Sequence, residues 1–85
     1  MKVIIYRQIN GIVTDDIVKK ICADLGPEWN GTWFYSYHIF YGIKEAAVMY
    51  KMGDGWWVVM YDTCIRDVLE KHIGKFTGEV MKIQI

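Results

Sequence analysis

Cys22, Cys64, His38, His72 and the adjacent Asp15 and Asp16 are the residues of this 85-residue sequence whose types suit nucleophilic, acid-base or metal chemistry. Cys64 falls where a strand pattern gives way to a helical one, a place where backbone N–H groups stabilise a thiolate, and Asp62, Thr63 and Arg66 are beside it in sequence. No Cys-x5-Arg anion loop follows it and no histidine is local to it, so a structural or incidental thiol is expected. Cys22, Cys64, His38 and His72 are numerous enough for a zinc site. They lack Cys-x-x-Cys or His-x3-His spacing, and no metal is expected. His38 stands in an aromatic run where no carboxylate is placed beside it by spacing, which reads as hydrogen-bonded packing. Asp15 and Asp16 diverge on the first turn of a helix, where carboxylates complement the dipole. Gly53-Asp54-Gly55 is a turn signature, and no Gly-rich phosphate loop occurs. These residues point to a non-enzymatic protein without a cofactor.

The rings are the stronger signal. Trp, Tyr and Phe make up 15% of the chain and concentrate between Trp29 and Tyr61. Trp29, Trp33, Tyr35, Tyr37, Trp56 and Trp57 are the candidate binding residues, because Trp and Tyr combine a large apolar area with a polar handle. Trp56 and Trp57 are neighbours, so on a strand they point to opposite faces, and Trp33 and Phe34 do the same. The rings therefore exceed what one covered sheet face can hide. An exposed cluster of that kind marks an interaction surface, unless the sheet wraps on itself or Pro27–Gly31 folds across it.

The elements that would carry these rings follow from periodicity. Lys2 to Ile9 is a β-branched run and reads as a central strand, closed by Asn10-Gly11. Thr14 is an N-cap signal for a helix with Ile17, Ile21 and Leu25, flanked by Val18 and Cys22, on one face, stopped by Gly26-Pro27. Glu28 to Gly31 reads as a turn-rich linker, and Thr32 to Tyr41 as one strand. Lys44 to Met52 reads as a further strand, with a two-turn helix as the alternative because Ala46 and Ala47 suit either. Gly53-Asp54-Gly55 turns the chain into a strand over Trp56 to Tyr61. Asp62 or Thr63 caps a second helix with Ile65, Val68, Leu69 and Ile73 in one stripe, ended by Gly74. Met81, Ile83 and Ile85 alternate with polar residues in a final strand within Phe76 to Ile85.

The resulting order, β-α-β-β-β-α-β, predicts an α+β fold on the split β-α-β, or ferredoxin-like, plan with one extra strand. Both helices would then lie on one face of a mainly antiparallel sheet. The length suits one domain spanning residues 1–85.

Acylphosphatases share this length and the split β-α-β order, but their glycine loop after the first strand ends in Phe-Arg. In the corresponding stretch, Gln8 to Asp15, only the glycine matches, and Asp15 stands where the anion-binding arginine would be. RNA-recognition domains present rings on the open face of such a sheet, but their basic-glycine-aromatic signature is missing. Ten basic residues balance ten acidic ones, which removes the phosphate attraction that dominates nucleic-acid binding.

A protein-binding module acting as an inhibitor or adaptor is therefore the expectation, with another protein as partner and a homodimer as the simplest assembly. Small neutral aromatic-rich domains of this sort are associated with phage and viral accessory proteins. The alternative is a small-ligand or single-stranded nucleic-acid binder using the same rings, with His38 and Arg7 as polar groups. The apolar run at the start is too short for a signal-peptide core and nothing approaches a transmembrane length, so no membrane partner and a cytoplasmic location with free, buried thiols are expected.

Overall fold

The computed structural model describes residues 2–7, 12–53, 55–76 and 79–84, with side chains described for 12–51, 53 and 55–76. It is a small α+β domain: an antiparallel sheet and two helices. Strand β1 is Lys2–Arg7, and helix α1 is Asp15–Leu25. Thr14 is extended and its hydroxyl oxygen accepts from the Ile17 N–H at 3.3 Å, satisfying one of the free donors of the first turn. At the other end Gly26 takes φ 132° and returns its N–H to the Cys22 carbonyl at 3.0 Å, a conformation that favours glycine. The buried face of α1 is Val18, Ile21 and Cys22, with Ile17 and Leu25 at its margins. All five belong to the expected face, with the burial deepest at Val18, Ile21 and Cys22.

The chain then enters strand β2, Trp29–Trp33, and reverses through 34–36 into strand β3, Tyr37–Tyr41. This corrects two sequence expectations. Glu28 to Gly31 is not a linker beyond its first residue, and Thr32 to Tyr41 is not one strand. The reversal is made by Phe34-Tyr35-Ser36, which lacks the glycine or proline that announces a turn. Tyr35 adopts φ 60° in their place.

Strand β4, Lys44–Met52, is a strand and not a helix, and strand β5, Gly55–Met60, follows it. Between Ile39 and Phe40 the β3–β4 register shifts: Ile39 faces Ala47 while Phe40 faces Glu45. Ala46 is the extra residue, and its carbonyl accepts from both Tyr61 and Asp62 N–H groups, at 2.9 and 3.1 Å. The bulge thereby receives the chain as it leaves β5.

Asp62 caps a short 3₁₀ turn, Thr63–Ile65, its carboxylate accepting from the Cys64 N–H at 3.0 Å. Helix α2, Arg66–Ile73, continues from it and stops at Gly74, and strand β6, Glu79–Gln84, closes the sheet. The expected alternation of Met81, Ile83 and Ile85, the end of the first strand at Ile9, the Asn10-Gly11 turn and Asp54 lie outside the described side chains or residues.

The strands are ordered β2-β3-β4-β5-β1-β6, all antiparallel. Among the described residues there are six strands where the sequence reading has five, because the ring-rich segment folds back on itself. The helices pack together and share a core with inward residues of β3, β4 and β5. Ile21, Ile39, Met49, Val58, Met60, Leu69 and Ile73 are fully buried. Each such side chain contributes on the order of 1.5–3 kcal/mol of burial free energy, so the contact between layers dominates stability. Asp24 at the end of α1 ties the layer laterally: its Oδ2 lies 2.6 Å from His72 Nε2 and 3.2 Å from Lys71 Nζ on α2. No helix among the described residues is long and apolar enough to cross a membrane.

Candidate functional site

Gly31 sits at the centre of β2, and a Cβ built there would lie 2.3 Å from Val18 Cγ1 and 3.5 Å from Cys22 Sγ. Only a residue without a side chain lets α1 approach the edge strand so closely. On either side of this glycine, two positions away and on the same face, stand Trp29 and Trp33. Trp29 leans on the core and against Tyr41, with ring centroids 5.1 Å apart. Trp33 meets Tyr37 edge-on at 4.7 Å, and Tyr37 in turn lies 6.2 Å from Trp56.

The outcome is a groove of about 470 Å³ between α1 and β2, walled by Val18, Lys19 and Cys22 on the helix and Gly31, Trp33 and Tyr37 on the sheet. Asp15 also lines it, and the Tyr37 hydroxyl donates to its Oδ1 at 2.7 Å. That bond favours the neutral phenol, so the Tyr37 pKa is pushed up, first by the hydrogen bond to Asp15 and then by desolvation. Burial likewise raises the Cys22 thiol, which keeps it protonated in the groove wall.

Beyond the groove the β2–β3 turn projects Phe34 and Tyr35, which are 69% and 85% exposed, next to Trp33 at the end of β2, which is 59% exposed. Phe34 and Tyr35 contact each other edge-to-face at 4.9 Å. The turn is tied down from within. The Phe34 N–H donates to the Ser36 carbonyl at 2.9 Å, and His38 Nε2 lies 3.2 Å from the Phe34 carbonyl. His38 Nδ1 is 2.9 Å from Glu45 Oε2, so both ring nitrogens face acceptors. His38 is hydrogen-bonded on both sides, and one of its partners is a carboxylate that spacing along the chain does not place there. Pairing of β3 with β4 supplies Glu45 across the strands.

The six candidate rings are therefore distributed over three places. Trp33, Tyr37 and Trp56 form one run with Trp29 further along the same face, Tyr35 is at the turn, and Trp57 is on the opposite face beside Tyr50, stacked at 6.4 Å. Trp29, Tyr37 and Trp56 pack on the core and serve as structure as well as surface. Sequence reasoning missed Phe34, Tyr41 and Lys19, and read Asp15 only as a complement to the helix dipole. Phe34 carried a signal, since it belongs to the same ring-rich run, whereas Asp15 and Lys19 join the site only because α1 lies over Gly31.

The reactive-residue candidates do not assemble. Cys22 is buried and Cys64 is exposed, both free, which corrects the expectation that both thiols are buried. Among the described residues no group of His, Cys, Asp or Glu is placed to hold a metal ion. His72 meets Asp24 on the surface between the helix ends, and this pair acts as a tether. Comparison with known proteins finds no matching family model, no matching curated protein and no matching solved structure.

Proposed function

We propose that this protein is a small, self-associating protein-binding module, acting as an inhibitor or adaptor by occupying a partner's surface rather than by catalysis. The observation that carries the reading is Tyr35. A bulky residue at positive φ is costly by about 1 kcal/mol or more, and here it is held in that state at the tip of a turn with its ring almost wholly in water. Local strain with no burial in return suits a residue retained for contact, and Phe34 and Trp33 beside it extend the surface. The internal ties of the turn reduce the ordering cost on binding. The supporting scaffold is read as a split β-α-β, ferredoxin-like plan enlarged by the β2–β3 hairpin, since β1 lies between the two strands that flank α2. An accessory role of the phage or viral kind and a cytoplasmic location belong to the same proposal.

The test is affinity capture from the source cell with the wild-type chain and with Phe34→Ala/Tyr35→Ala. A protein retained by the wild type and lost by the variant is the expected result. Equal retention by both, or no specific protein retained, would overturn the reading.

A second reading is favoured by the groove. Its volume falls in the range of small-molecule sites, and it offers Asp15, Lys19 and two rings as polar and apolar contacts. A small-ligand binder would use it in place of the turn. For that reading, Trp33 fluorescence should respond saturably to members of a compound library, and Lys19→Ala should abolish the response.

A further inference from the structure

β2 is an edge strand, and its free side can be assigned atom by atom. The Gly42 N–H donates to the Glu28 carbonyl at 3.0 Å and the Phe34 N–H to the Ser36 carbonyl at 2.9 Å, so the even positions of this segment bond toward β3. Alternation in an antiparallel ladder then directs the backbone groups of Trp29, Gly31 and Trp33 away from the sheet. The Trp29 N–H turns back to the Gly26 carbonyl at 3.1 Å. The Gly31 and Trp33 N–H groups and the Trp29, Gly31 and Trp33 carbonyls have no partner among the described residues.

Natural edges are usually guarded by charge or proline. The opposite edge, β6, carries Glu79 and Lys82. β2 reads Trp-Asn-Gly-Thr-Trp, with neither charge nor proline.

We propose that the free edge of β2 pairs with β2 of a second copy of this chain, antiparallel, on a two-fold axis through Gly31. This rests on the self-association proposed above and specifies its surface and register.

The argument for a second copy over a foreign strand is the symmetry of the segment about its glycine. An isologous interface needs a patch that complements itself. In this register Gly31 faces Gly31, each Trp29 faces Trp33 of the second copy, and each Asn30 faces Thr32. The two Gly31 residues exchange N–H to C=O bonds in both directions, and each Trp33 N–H donates to the Trp29 carbonyl of the second copy. That uses the outward donors and leaves the Trp29 N–H in its bond to Gly26. On the helix side, each Trp29 comes to lie beside a Trp33 that is 59% exposed in the single chain, at the mouth of the groove. Aromatic cross-strand pairs of this kind favour pairing. On the opposite face, Asn30 and Thr32 form a non-hydrogen-bonded pair with closely spaced side chains.

Light scattering over a concentration series reads the assembly, and a disulfide reads the register. The wild type should show a mass of twice 10.0 kDa, falling to the single-chain mass on dilution. In a Cys64→Ser background, Asn30→Cys/Thr32→Cys should oxidise to a covalent dimer, and Asn30→Cys alone should not, because residue 30 faces residue 32 across the axis. Trp33→Pro removes an outward N–H without breaking a bond to β3. It should lower self-affinity at least tenfold while keeping the native circular dichroism spectrum.

A wild type that stays monomeric at every concentration overturns both the edge pairing and the self-association. A dimer in which the double-cysteine variant fails to cross-link, or in which Asn30→Cys alone links as fast, overturns the edge pairing and leaves self-association standing. The partner-capture experiment is independent of both, since it reads the rings of Phe34 and Tyr35 in the turn.

Discussion

Tyr35 and Gly31 show how much single positions on the ring-rich hairpin carry. At Tyr35 the backbone favours glycine and the side chain makes no core contact, so Tyr35→Gly is expected to raise stability by about 1 kcal/mol while weakening partner capture. Thermal denaturation beside the capture assay checks both halves. At Gly31 the limit is space. Gly31→Ala places a methyl into Val18, and such overpacking costs about 1–3 kcal/mol, which the double variant Gly31→Ala/Val18→Ala should largely recover. A double-mutant cycle by urea denaturation reads the coupling. The thiols differ for the same kind of reason. Cys64 is exposed and should react with a thiol reagent in the native state, whereas Cys22, buried and held protonated, should react only on unfolding. Titration of thiols with and without denaturant measures this.

Between elements, the two helices are joined laterally by Asp24, His72 and Lys71 at their ends. The bonds from His72 and then Lys71 hold the Asp24 carboxyl below the usual carboxylate range. The folded carboxyl therefore ionises at lower pH than the unfolded one. The contribution of the tether is complete above the ordinary carboxylate range and is lost as pH falls through the depressed value. Asp24 and Lys71 are exposed, so the effect is small. Asp24→Asn should flatten that part of the acid limb in a plot of melting temperature against pH and leave the neutral plateau only slightly lower. The opposite sign holds where the hairpin meets α1. The Tyr37 pKa is raised by Asp15, so that bond is fully present below the ordinary tyrosine range and is lost as pH rises through the higher folded value. Tyr37→Phe should remove this alkaline loss.

For the whole molecule, stability is concentrated on one side of the sheet. Leu69→Ala empties a fully buried site between α2 and the core and is expected to cost about 2–5 kcal/mol, lowering the urea midpoint without changing the slope. Trp57→Ala, on the other face beside Tyr50, removes a larger side chain that is only partly buried, and should cost less than Leu69→Ala in the same measurement. That ordering runs against side-chain size. It follows from burial, because the helices cover one face and no described element covers the other.

The element types and most element ends could be read from the chain itself. Thr14, Gly26, Asp62 and Gly74 are local signals whose physics acts within a turn of where they stand, and the stripes on α1 and α2 need only the helical period. The β-structure of Lys44 to Met52 was legible but balanced against a helix, and pairing with β3 and β5 decided it. What local chemistry could not supply was the reversal at Phe34-Tyr35-Ser36, since no glycine or proline marks it and the strain at Tyr35 is borne by bonds to Ser36 and His38. Neither could it place Glu45 on His38, Asp15 on Tyr37 or α1 on Gly31, each of which joins residues from different elements. Periodicity along one segment determined which rings share a face. Only the packing of that segment against α1, β4 and its own reversal decided which rings are core, which wall a groove and which stand in water.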